Sequence, residues 1–165
     1  MVSTEQISFL QNKIKEIGSA IFYNESEAVL KLPSTIVSTL MVDDFGYVWF
    51  FVHKPKQHLR EFEQDFPVRM DFFKKGTNCF LQVEGRGCVV TDPEEVNTLL
   101  SLTEELQQVN QMDMVLVKVK IQKAEYYETK TAHNNSWWQT AVNTVSTWFR
   151  NTNQYKPNST YFPAS

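Results

Sequence analysis

The stretch from Met114 to Ile121 constrains the fold more than any other. Val115, Val117, Val119 and Ile121 alternate with Lys118 and Lys120. A period of two does not fit a helix. It fits a strand with one dry and one wet face, of the kind found in antiparallel sheets that cover a core on one side. A second signal lies upstream. Thr35 to Val42 is β-branched and apolar, Asp43-Asp44-Phe45-Gly46 supplies a turn, and Tyr47 to Val52 is again aromatic and β-branched. Two such runs about an Asp/Gly turn predict a hairpin. Val68 to Phe73 predicts a third strand, Lys74 to Asn78 a second turn, and Cys79 to Glu84 a fourth strand. Gly85-Arg86-Gly87 predicts a bulge or sharp bend before the strand resumes at Cys88 to Val90. Ala124 to Glu128 extends the Met114 strand.

Helical signals flank the strands. Ser3-Thr4-Glu5-Gln6 is a capping-box pattern, Ile7, Leu10, Ile14 and Ile17 recur at spacings of three and four, and Gly18 ends the run. Asp92-Pro93-Glu94-Glu95 starts another helix with a cap, a first-turn proline and acids at the positive end of the dipole; Val96, Leu99, Leu100 and Leu106 form its apolar stripe. Pro55 to Asp65 predicts a short helix carrying Leu59 and Phe62. Asn134-Asn135-Ser136 predicts a cap for a helix holding Trp137, Trp138, Ala141, Val145, Trp148 and Phe149, followed by a loose polar end from Asn151. The division is therefore a β domain over residues 1–128 with its N-terminal helix, and a helical, aromatic-rich extension over 129–165. The fold class is mainly β (α+β): a small or half-open barrel with peripheral helices rather than a parallel sheet.

Composition removes several function classes. With 165 residues the chain is long enough to bury its own core without disulfides or a structural metal. Its 22 aromatic residues exclude a wholly disordered chain. A net charge of -3 argues against a general nucleic-acid binder. Cys79 and Cys88 have neither zinc spacing nor the basic neighbours of a nucleophile, and read as unbridged structural thiols. The run Val48 to Val52 is too short to span a bilayer, and no signal peptide is visible, so a cytoplasmic location is expected. No metal site is expected: His53, His58 and His133 are scattered. P-loop, Gly-x-Gly-x-x-Gly and Gly-x-Ser-x-Gly patterns are absent.

One segment stands out electrostatically. His53-Lys54-Pro55-Lys56-Gln57-His58-Leu59-Arg60 holds three formal positive charges and no acid, so the rest of the chain carries -6. It lies between a strand end and an expected helix start, where backbone N–H groups favour an anion. A solvated basic turn is the alternative. The preceding aromatic strand, Trp49-Phe50-Phe51-Val52, either lines a flat-ring site beside that turn or fills the core. The Trp-rich extension packs on its own barrel or on a second subunit; the residues leave both open.

The ordered set from about Leu32 to Leu100 resembles the pyridoxamine 5′-phosphate oxidase-like FMN-binding split barrels, especially their general-stress-protein branch. The matching pieces are Thr35-Ile36-Val37-Ser38-Thr39-Leu40, the turn to Gly46, Val48-Trp49-Phe50-Phe51-Val52, the basic turn into His58-Leu59-Arg60-Glu61-Phe62, Phe66-Pro67-Val68, Phe80-Leu81-Gln82-Val83-Glu84-Gly85, and Val89-Val90-Thr91-Asp92. Ala124-Glu125-Tyr126-Tyr127 is similar to the family's closing strand. The resemblance implies a homodimer with FMN at the subunit interface. Ser38 and Thr39 would line the flavin from the first strand, Phe51, Val52 and His53 from the second, and Lys54, Lys56, Gln57 and His58 would face its phosphate. The oxidase's own pattern is rewritten: Ser34 and Thr39 replace its arginine and lysine, Lys56-Gln57-His58 its Ser-Arg-Lys turn, and Phe80 its glutamine. No catalytic side chain is indicated. The resemblance thus implies an FMN-binding, stress-related flavoprotein acting in redox on a small unknown substrate, without the oxidase's own activity. The alternative is a cofactor-free split-barrel dimer acting as a binding protein; a deazaflavin or haem barrel ranks below both.

Overall fold

The computed structural model describes residues 3–102, 113–129 and 142–147. Seven strands form one antiparallel sheet: β1 (Ser19–Asn24), β2 (Thr35–Val42), β3 (Tyr47–His53), β4 (Asp65–Phe73), β5 (Cys79–Val90), β6 (Met114–Thr129) and β7 (Val142–Thr147). The order is β3-β2-β1-β4-β5-β6-β7, and an additional β3–β6 pairing closes the first six into a barrel. The expected split barrel is the fold found. Closure leaves β6 with β5 along one edge, and β3 followed by β7 along the other.

The barrel interior is built by alternation. Phe22, Phe50, Phe66, Phe72, Val48, Val83, Val117 and Val119 are fully or almost fully buried in one cluster. Each buried side chain of this size contributes roughly 1.5–3 kcal/mol by leaving water. Helix α1 (Thr4–Ile17) adds Leu10, Ile14 and Ile17 to that cluster. Its ends are those expected: the Ser3–Gln6 capping box is complete, and Gly18 terminates it at φ 80°. Helix α2 (Pro93–Leu102) begins where Asp92 Oδ1 accepts from the Glu94 N–H at 2.9 Å. It covers part of the outer surface, where Leu99 packs with Trp49, Val90 and Leu116 in a second, smaller cluster.

The Gly85-Arg86-Gly87 motif has a steric cause. A β-carbon on Gly85 would lie 2.0 Å from the Lys120 carbonyl oxygen; on Gly87 it would lie 2.7 Å from Val68 Cγ2. The β5–β6 register shifts between Glu84 and Gly85, which is the expected bulge, yet β5 continues as one strand. Cys79 and Cys88 are free thiols.

Three expectations differ from the structure. Ser19–Asn24 is a strand that the sequence pattern did not announce; Ala20, Phe22 and Asn24 are its inward side chains. Pro55 to Asp65 is not a helix: only Leu59–Glu61 makes a 3₁₀ turn, His58 at its start provides no side-chain cap, and Asp65 already opens β4. A three-residue turn anchored by burying Phe62 against the core satisfies this segment without helical propagation. Val142–Thr147, expected within a helix, is strand β7 paired to Glu125–Thr129 of β6. The rest of that expected helix, the polar end from Asn151, and Leu106 lie outside the described residues.

Candidate functional site

Strand alternation decides which side chains of the β2–β3 ribbon share a face. Thr39 lies opposite the core residue Phe50, whereas Met41 lies opposite Trp49, with a bulge between. Ser38, Phe51 and His53 therefore turn outward. They meet Met114, the register partner of His53 on β6. Together with Ile36, Leu40 and the edge of Val52 they line an open cleft of about 260 Å³. Its walls are mostly apolar, its polar side chains are Thr35, Ser38 and His53, and Ile36 stands 76% exposed at its rim.

The cleft gathers four residues of the sequence-derived set: Ser38, Phe51, Val52 and His53. Thr39 is placed elsewhere. As Ser38's neighbour on a strand it faces the opposite way, and its hydroxyl donates to the Gly18 carbonyl at 3.0 Å. It lines a separate cavity with Ile14 and Lys15 of α1. Lys54, Lys56, Gln57 and His58 are exposed in the loop leaving β3 and are not among the cleft's lining residues. The loop is tied at its start, where the Lys54 N–H donates to the Asp113 carbonyl at 2.8 Å. Among the described residues no acid pairs with Lys54 or Lys56, so the basic island faces solvent uncompensated. Without the expected helix, the island's positive potential rests on side chains alone. Ile36, Leu40 and Met114 were not foreseen as a lining; Met114 reaches the cleft only through the β3–β6 pairing that closes the barrel.

The other end of the same ribbon is built differently. Asp43 Oδ1 accepts from the Phe45 and Tyr47 N–H groups, both at 2.9 Å, and its Oδ2 accepts from Trp49 Nε1 at 2.9 Å. Asp43 is thus turn chemistry, and it also fixes the indole. A larger cavity, of about 570 Å³, opens here between the Asp43–Gly46 turn, Gln11 of α1, Trp49 and α2. Lys118 pairs with Glu95 of α2 at its margin and lies over the Tyr47 and Trp49 rings at 5.7 and 5.3 Å. Burial pulls the Lys118 pKa down, but the Glu95 contact outweighs it and holds the ammonium above its ordinary value. Burial pushes the neighbouring Cys88 thiol up, which disfavours the thiolate a nucleophile needs. Among the described residues, no three His, Cys, Asp or Glu side chains are grouped to hold a metal ion, and no helix is long and apolar enough to cross a membrane.

The family model described as "Pyridoxamine 5'-phosphate oxidase like" matches residues 5–150. The chain belongs to this family. No curated protein matches it by sequence. Solved structures share the fold at low identity. One is a Clostridium acetobutylicum protein related to general stress protein 26 (pyridoxinephosphate oxidase family): 9% identity, TM-score 0.56, covering 77% of this chain and 91% of that one. Another is the general stress FMN/FAD binding protein of Xanthomonas citri: 18% identity, TM-score 0.55, covering 81% and 96%. Family membership and fold therefore agree, and the relatives' chains are matched over most of their length.

Proposed function

We propose that this family member binds a flavin, FMN, in the cleft between β2, β3 and Met114, as a homodimer in which a second copy completes the site. The observation that carries this reading is the pairing of an apolar-walled slot with an uncompensated basic loop that leaves the slot's own strand at His53. A flat ring fits against Phe51, Leu40 and Met114, with Ser38 and His53 to hydrogen-bond its polar edge. Lys54, Lys56 and His58 would hold the phosphate, and Gln57 would add amide donors. Membership in the pyridoxamine 5′-phosphate oxidase-like family and the Xanthomonas relative described as FMN/FAD binding support the same cofactor.

The size of the cleft supports the dimer. Pockets that bury most of a ligand run to roughly 300–1,000 Å³, and this cleft is about 260 Å³ and open. A bound flavin would supply two-electron redox chemistry on a small substrate; the protein would orient the ring and exclude water on one side. Thr39 has no place in this site, because its hydroxyl is committed to Gly18. The test is FMN titration of the K56A/H58A double variant against the parent chain. The expected outcome is weaker binding with unchanged thermal stability, since both side chains are exposed. Unchanged affinity would remove the phosphate assignment. A parent chain that ignores FMN would favour the cofactor-free binding protein.

A further inference from the structure

We propose that the acid-rimmed cavity at the hairpin end of the barrel is the docking site for this chain's own C-terminal segment, residues 148–165. The cavity's floor is apolar: Trp49, Met41 and Leu99, with Leu102 beside them 68% exposed and Phe45 76% exposed at the mouth. Asp43, Asp44 and Glu95 contribute its charged atoms; no Lys or Arg is among its described lining residues, although Lys118 pairs with Glu95 and Lys120 donates to the Phe45 carbonyl at its edge, which leaves the acids in excess by one. Asp43 and Glu95 already have partners, whereas Asp44 receives a single hydrogen bond, from Gln11 Nε2 at 3.1 Å. An apolar floor under a carboxylate rim selects an occupant that is both aromatic or aliphatic and cationic.

One such segment follows β7. The last acidic residue of the chain is Glu128; residues 148–165 hold Trp148, Phe149, Tyr155, Tyr161 and Phe162 together with Arg150 and Lys156. The topology directs this segment to the cavity. β7 and β3 lie on the same edge of β6, and β7 runs antiparallel to it, so the chain leaves Thr147 opposite Glu125 heading back along β6. Four residues further along that path, about 13 Å at 3.3 Å per residue, the Ile121 N–H donates to the Gly46 carbonyl. That carbonyl belongs to the turn that forms the cavity's mouth. Eighteen residues span up to roughly 60 Å when extended, so reach is ample. Trp148 and Phe149 come first and suit the floor, and Arg150 and Lys156 suit the rim. This inference does not depend on flavin binding, because the cavity lies at the opposite end of the β2–β3 ribbon from the cleft.

Zero-length carbodiimide coupling of the intact chain tests it, with cross-linked peptides identified by mass spectrometry. Lys156 is the one lysine of the segment, and the Lys118–Glu95 pair is a built-in positive control. The expected result is a Lys156–Asp44 or Lys156–Glu95 amide within one chain. Its yield should fall severalfold near 1 M salt, where screening acts over about 3 Å. Mixing isotopically light and heavy protein before coupling separates the two sources of a segment. A mixed-isotope Lys156 cross-link would overturn docking within one chain in favour of a second copy. Recovery of the Lys118–Glu95 cross-link with none from Lys156 to Asp43, Asp44 or Glu95 would overturn the proposal outright, whether or not the protein binds flavin.

Discussion

The two ends of the β2–β3 ribbon share a sheet and differ in almost everything else. At the open end, Ser38, Phe51 and His53 line a small cleft, and the chain runs on into Lys54, Lys56 and His58, with no ion pair to Lys54 or Lys56 among the described residues. At the hairpin end, Asp43, Asp44 and Glu95 rim a larger, more open cavity against Trp49. The same pleated ribbon therefore presents a cationic end and an anionic end. The difference shows that the barrel interior fixes position, while charge on the connections fixes what each end can receive. An anionic cofactor suits one end, and a cationic aromatic segment suits the other.

Both ends are lost together when the barrel itself is disturbed. Gly85→Ala places a β-carbon 2.0 Å from the Lys120 carbonyl oxygen. Backbone on both sides leaves no flexible atom to yield, so a loss of about 3 kcal/mol or more is expected, with both ends failing together. Denaturant unfolding with flavin titration of the remaining folded fraction checks this. Asp43→Ala should act at one end only. It removes the acceptor of three hydrogen bonds and leaves the mostly buried Trp49 indole N–H without a partner. A loss of about 2 kcal/mol is expected, while FMN affinity of the folded protein stays within about threefold, a shift well under the 1.4 kcal/mol of a tenfold change. A large drop in FMN affinity would show that the ends are coupled.

Charge reversal at the open end sharpens the contrast. Lys54→Glu with Lys56→Glu should weaken FMN by tenfold or more, on the order of 1.4 kcal/mol, with no loss of stability. The smallest effect lies away from both ends, on the wet face of β6. Lys123, at 2.8 Å, and the Tyr127 hydroxyl, at 2.9 Å, hold the Glu125 carboxylate below its ordinary pKa. A depressed carboxylate stabilises the fold above its unfolded pKa and loses that contribution as pH falls through its folded value. Glu125→Gln should therefore cost about 0.5 kcal/mol at neutral pH and nothing once the carboxyl is protonated. An effect that persists in acid would assign the loss to packing instead.

Most of the barrel was legible because inward and outward residues differ sharply along its strands: the Val115–Ile121 alternation, the Asp43–Gly46 turn and both described helix starts are where the pattern puts them. β1 was hidden because one of its three inward side chains is Asn24, whose Oδ1 accepts from the Ser26 N–H, so a polar group sits where an apolar one would have marked a strand. The loop after His53 misled because Leu59 and Phe62 are spaced like a helix face, although Phe62 reaches the core from an extended cap residue. The site was legible in part. Strand periodicity finds Phe51 and His53 but cannot assign Ser38 and Thr39, which are adjacent, to one surface. Ile36 shares a face with Ser38 two residues along β2, whereas Met114 required the barrel closure, a contact between residues far apart in sequence. The large acidic cavity was invisible for the same reason: α1, the β2–β3 turn and α2 meet only in three dimensions.

The visible absorption spectrum of the purified protein, before and after addition of FMN and with heat-released supernatant checked for free flavin, decides whether the barrel binds a flavin. The expected result is a flavin spectrum shifted from that of free FMN, saturating at one flavin per chain. A colourless protein that leaves the spectrum of added FMN unperturbed would contradict it.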